Sequence, residues 1–197
     1  MDRRETLVGL ATDCLQERFA EDLTLIYAAS TEYTPQLCNS LCEAMLQILK
    51  RVQLLQELGQ KGAIAYVSFS LMQSNILMDK FALHIDAYDE RFLLDSSEAS
   101  AEWDFSLLIQ NADANFESVA KIVRKTEIRV QEYEILVLKR SYQTCYYPVV
   151  LEFLPQFLDG CLKQIPLDTV HLCPEVIFTF GKYMEKQLPF YVWRQGE

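Results

Sequence analysis

His84 and Asp86 stand two residues apart in a stretch where Phe81, Leu83 and Ile85 alternate with Ala82, His84 and Asp86. Residues i and i+2 of a strand point to one side, so the imidazole and the carboxylate become neighbours. The carboxylate would then raise the histidine pKa and fix its tautomer, as a general base requires. Tyr88 continues the same face, and Tyr66, His84 and Tyr88 could together line a pocket for a small molecule. The plainer account is the polar outer face of a one-sided sheet, where His and Asp fall side by side without chemistry.

Two further clusters could hold a metal. Asp86, Asp89, Glu90 and Asp95 offer carboxylate oxygens to a hard cation, but their spacing is not that of a calcium loop and the glycine of its sharp turn is missing. Cys38 and Cys42 would share a helix face and supply two ligands to a soft metal. Two more ligands are lacking, because His84 and His171 lie alone. The expectation is no metal and no cofactor, with all six cysteines reduced and mostly buried. Nucleophile and nucleotide motifs are missing too: there is no Gly-x-Ser-x-Gly, and Gly59-Gln60-Lys61-Gly62 has neither the spacing nor the hydroxyl of a phosphate loop.

Aromatic and apolar clusters suit contact with another protein. Phe178, Phe180, Tyr183, Phe190, Tyr191 and Trp193 crowd the C-terminal segment, where rigid rings could form an interface or simply fill a core. Ile76, Leu77 and Met78 make an apolar tip between polar turns. Tyr191, Trp193 and this tip are the candidate interaction residues.

The elements that must position these groups follow from periodicity. An amphipathic helix is expected from Glu5, broken near Ala20 to Asp22, with a turn at Ser30 to Pro35. Thr34-Pro35 then reads as the start of a second helix, in which Leu37, Leu41, Met45, Ile48, Val52 and Leu55 repeat every three or four positions. Gly59 and Gly62 end it. Alternation predicts strands at Ala63 to Leu71 and Phe81 to Tyr88, with a short third at Phe92 to Leu94. From Ser96 onward the pattern reads as helical, with Trp103 on a helical stripe, a long helix from Thr126 to Tyr146, and another shaped by Pro148 and Pro155, in which Gly160 allows a close approach. The predicted fold is α+β, a mostly helical single domain covering 1–197. Within it, residues 1–60 are helical, residues 62–95 form a small three-stranded antiparallel meander packed against helices, and residues 97–197 are helical again.

Composition limits the function. The apolar fraction is 50% and the chain has 197 residues, enough for a self-sufficient core. A formal net charge of −10 removes the usual attraction to nucleic acid or anionic membrane. No apolar run approaches a membrane span or a leader peptide, so a cytoplasmic location is expected. The expected function is a non-catalytic protein-protein interaction or accessory module, its acidic turn setting partner choice; assembly with further copies of itself is compatible with this. The alternatives are a small-molecule-binding domain with a pocket between sheet and helices, and an enzyme using His84 and Asp86.

Overall fold

The computed structural model describes residues 3–127 and 129–196, with the side chains of residues 3–7 and 10 left aside. The chain forms two compact units, one made of 1–33 and 106–150, the other of 34–105 and 151–197. The fold class is mixed α and β as expected, but the sheet is larger than a meander.

Helix α1 runs without interruption from Arg3 to Glu57, so neither the break at Ala20 nor the turn at Ser30 to Pro35 exists. The local turn signals are present but outweighed. A proline inside a helix removes one hydrogen bond and costs about 3 kcal/mol, whereas Ile26 before it and Leu37, Leu41, Ala44, Met45 and Ile48 after it are all buried. Pro35 lies where the chain passes from one unit to the other. The C-terminal end is as the glycine predicts: Gly59 has φ +67°, its N–H donates to the Gln56 carbonyl at 3.0 Å, and that of Gln60 donates to Leu55 at 2.9 Å, which is the Schellman closure. Gly62 takes no part in it.

The second unit carries a five-stranded sheet, β1 (Ile64–Leu71), β2 (Ala82–Asp89), β3 (Ser100–Asp104), β4 (Leu172–Lys182) and β5 (Gln187–Arg194), in the order β3-β2-β1-β4-β5. A short helix, α2 (Gln73–Leu77), links β1 to β2. Neighbouring strands are antiparallel except β1 and β4, which are parallel. Parallel pairing overturns the purely antiparallel meander. Phe92–Leu94 is a single 3-10 turn, and the third strand is β3, which carries Trp103 opposite Leu83. Its alternation of buried Trp103 with exposed Glu102 and Asp104 is a period of two, short enough to be absorbed into a helical stripe. The segment after Pro166, expected to be helical, is the β4–β5 hairpin. Runs rich in Val, Ile, Phe, Tyr and Thr favour strands, and their near-continuous apolar character hides the alternation.

In the first unit, α3 (Ala112–Thr126), α4 (Glu132–Thr144) and the start of α5 (Tyr146–Leu162) join the N-terminal stretch of α1. The single helix expected over Thr126 to Tyr146 is therefore split, with Ile128 outside the described residues. Glu134 reaches back to the Gln131 N–H at 2.8 Å, the capping interaction that starts α4. Phe116, Val119 and Val123 of α3 and Ile135, Leu138 and Tyr142 of α4 are buried. Asp113 and Lys139 pair at 3.2 Å and Arg124 and Glu132 at 3.0 Å, so these charges are neutralised within the unit.

One face of the sheet packs on helices. Val67, Phe69, Leu83, Ile85, Trp103 and Phe178 are buried there; with them lie the apolar stripe of α1 and Leu154, Phe157 and Leu158 of α5. Among the described residues no helix is long and apolar enough to cross a membrane.

Candidate functional site

The other face of the sheet gathers the polar residues. Register places Ser70 opposite His84, Ser68 opposite Asp86 and Tyr66 opposite Tyr88 across β1 and β2. On the far side of β1, Ser68 faces Thr179 and Ser70 faces Gly181 of β4, and Gly181 pairs with Gln187 of β5. Paired residues share a face, so His84, Asp86, Tyr88, Tyr66, Ser68, Ser70, Thr179 and Gln187 form one patch. The sequence candidates His84, Asp86, Tyr66 and Tyr88 are thus brought together.

This patch is not the wet surface expected of it. Ser68 and Ser70 are 1% exposed, Asp86 4% and Thr179 5%. Larger neighbours shield them: the Phe92 ring lies 4.7 Å from that of Tyr66 and 5.4 Å from that of Tyr88, and Tyr183 stands edge-on to His84 at 5.3 Å. His84 Nε2 is 3.1 Å from Asp86 Oδ2. Interaction with Asp86 raises the histidine pKa, outweighing the opposite push of burial. Beyond this ion pair Asp86 Oδ2 has no hydrogen-bond partner among the described residues, and Thr179 Oγ1 and Gln187 Oε1 have none. The Ser68 and Ser70 hydroxyls are 3.1 Å apart, and Gln187 Nε2 donates to Ser70 at 3.5 Å. Burial first, and the Asp86 charge second, hold the Tyr88 hydroxyl well above the usual phenol range.

A serine, a histidine and an aspartate in register invite comparison with a catalytic triad, but the geometry argues against it. A nucleophile must be activated by the base and reachable. The Ser70 hydroxyl is 1% exposed and engaged with Ser68 and Gln187. What the patch can do is accept hydrogen bonds from a guest that displaces the aromatic cover.

The remaining candidates separate from this patch. Asp89 and Asp95, expected in a solvated acidic turn, are buried and internally paired. Arg91 binds Asp89 through Nη2 at 2.7 Å and Nε at 3.1 Å, and this hydrogen bonding holds the Asp89 carboxyl down at about 2. Lys61 donates to Asp95 and to the Ser97 carbonyl. These carboxylates fasten the loop after β2. Cys38 and Cys42 are buried beside Cys161 of α5, and burial followed by the neighbouring thiols raises the Cys38 and Cys161 pKa values. Among the described residues no group of three or more His, Cys, Asp or Glu is placed to hold a metal.

Tyr191 and Trp193 face the helix layer. Tyr191 donates to Asp159 Oδ1 at 2.6 Å, and Trp193 borders a gap of about 30 Å³ beside Met45, Ile48 and Val52 of α1. That gap is room for about one water and does not house a ligand. At the tip, Ile76 is half-buried while Leu77 and Met78 are 51% and 57% exposed.

Sequence reasoning missed Thr179, Gln187 and the burial of Lys61, and it placed Tyr183 in the C-terminal aromatic cluster rather than beside His84. The neighbours of Ser68 and Ser70 on β4 come from more than a hundred residues further along the chain. Compared with protein-family models, curated proteins and solved structures, the chain has no significant match.

Proposed function

We propose that the protein is a non-catalytic binding module whose ligand lies on the polar face of the sheet, a small neutral compound rich in hydroxyl donors. One observation carries this reading: two buried polar oxygens without hydrogen bonds, on Thr179 and Gln187, lie on the same face as the ion-paired Asp86. Leaving a buried polar group unpaired costs about 1–3 kcal/mol, and a guest supplying donors would remove that cost. Asp86 and His84 pair their charges, which favours a neutral guest. Tyr66, Tyr88, Phe92 and Tyr183 offer apolar ring faces to the carbon skeleton of a polyol or sugar.

The test is a titration of the whole protein with a panel of monosaccharides and polyols, followed by amide and ring NMR signals. Saturable shifts centred on His84, Tyr88 and Thr179, weakened at least tenfold by Thr179→Val and Asp86→Asn, are expected. Shifts spread evenly over the surface, or an affinity that neither variant changes, would end the proposal.

A second reading, docking of another protein at the tip, is favoured by the exposure of Leu77 and Met78. It predicts a native partner lost in the Leu77→Ser, Met78→Ser double variant and kept in Thr179→Val.

A further inference from the structure

The two aromatic covers of the polar sheet face are held differently. Tyr183, edge-on to His84, is fixed at its backbone, where its N–H donates to the Leu71 carbonyl at 3.2 Å. Phe92, against Tyr66 and Tyr88, belongs to the single 3-10 turn Phe92–Leu94. Two hydrogen bonds close that turn: the Leu94 N–H donates to the Arg91 carbonyl at 3.1 Å and the Asp95 N–H to the Phe92 carbonyl at 2.9 Å.

Both ends of the turn are pinned. Before it, Asp89 accepts the Arg91 N–H at 2.9 Å, the Arg91 guanidinium at 2.7 Å and the Gly62 N–H at 3.3 Å. After it, the buried Asp95 binds Lys61 and accepts the N–H groups of Asp89 and Ser97. Arg91 Nη2 lies 3.4 Å from Asp95 Oδ1 and bridges the two pins. Between them Leu93 is half-buried and Leu94 is 83% exposed, so little packing opposes a local opening of the turn.

Phe92 has φ +51°, in the left-handed region that a bulky L-residue rarely adopts. Among the described residues four other than glycine have positive φ, and Phe92 is the one aromatic. Residues held in such conformations cluster at ligand clamps and switches. A return to negative φ re-aims the side chain and takes the ring off both tyrosines.

We propose that Phe92 is the gate of the polar face: its turn opens between the fixed Arg91 and Asp95, the backbone leaves the left-handed region, and the ring swings aside to admit the guest. The gate presupposes the sheet-face site as its purpose, but its motion can be measured without any guest. The pins confine the movement to three residues, so neither the sheet nor the Lys61–Asp95 pair has to rearrange.

The experiment is NMR of the full chain. Line shapes during titration with monosaccharides and polyols give association and dissociation rates, and the neutral nitroxide TEMPOL reports solvent contact of the tyrosine rings. For a panel member that binds, Phe92→Ala should raise both rates about tenfold, because an opening step limits entry and exit alike. Faster dissociation with unchanged association would make Phe92 a stacking contact and overturn the gate. Without a guest, TEMPOL broadening of the Tyr66 and Tyr88 ring signals should be about threefold larger in Phe92→Ala than in the native chain, and in the native chain the Leu94 and Asp95 amides should exchange hydrogen about tenfold faster than those of Asp89 and Ser97. Tyrosine broadening unchanged by Phe92→Ala, or exchange of the turn only in step with its pins, would overturn the gate. A panel without binders would remove the sheet-face ligand and leave these two measurements to decide the gate.

Discussion

Lys61 and Asp95 form an ion pair in which neither side chain has any exposure to solvent. The pair ties the linker after α1 to the loop after β2. Asp95 also accepts the Asp89 N–H at 3.1 Å and the Ser97 N–H at 2.9 Å, and the Ser97 hydroxyl donates to the Gln60 carbonyl at 2.7 Å. Removing one partner of a buried pair leaves the other charge without compensation, a loss of about 3–5 kcal/mol. Lys61→Met should therefore lower the urea midpoint severely, with the m-value unchanged. A loss below about 1 kcal/mol would show that Asp95 is held well enough by backbone donors and Arg91 alone.

His84 gives a pH dependence of definite sign. Its folded pKa lies above the ordinary value of 6.5 because Asp86 favours the charged ring. The stabilisation is fully present below 6.5 and disappears as pH rises through the folded midpoint. Ring NMR signals should place that midpoint above 6.5, and unfolding free energy should decline across the same interval. In Asp86→Asn the midpoint should fall, since burial is then opposed only by the weaker attraction of Glu102 and Glu98. A midpoint unchanged in the variant would show that Asp86 is not its cause.

Gly160 of α5 packs directly against Cys38 of α1. A Cβ built there would lie 2.8 Å from Cys38 Sγ, which itself donates weakly to the Phe157 carbonyl at 3.6 Å. Alanine gains up to about 1 kcal/mol over glycine in a helix, but overpacking typically costs about 1–3 kcal/mol. Gly160→Ala should accordingly destabilise the protein with Cys38 present and stabilise it in a Cys38→Ala background. Thermal melts of the four proteins of this cycle measure the change of sign; a penalty that persists without the sulfur would place the obstruction elsewhere.

What could be read from the sequence was local. The stripe of Leu37, Leu41, Met45, Ile48 and Val52 and the alternation around His84 each need only a window of a dozen residues, and both are where the pattern put them. The pairing of His84 with Asp86 followed from the two-residue strand period. The burial of that pair did not, because it depends on Phe92 and Tyr183 folding over it and on β4 lying against β1. Trp103 illustrates a competing period: its spacing from Leu107 fits a helix, but its pairing with Leu83 decides for a strand. Pro35 shows the reverse, a valid turn signal overridden by the buried residues on either side. Asp89 and Asp95 read as surface charge because the cation that neutralises Asp95, Lys61, lies before the first strand.

The parallel partnership of β1 and β4 sets an order on biogenesis. β1 is complete by residue 71, but its partner on one side begins at Leu172, after the whole of the intervening helical unit has been synthesised. At about 5–20 residues per second, the middle strand of the finished sheet spends several seconds as its open edge, with Val67 and Phe69 beside unsatisfied backbone groups. Such an edge is a template for association with other chains. A ribosome that stalls before Leu172 releases a chain bearing that edge permanently, so the late hairpin acts as the closing step that separates a finished product from an aggregating one.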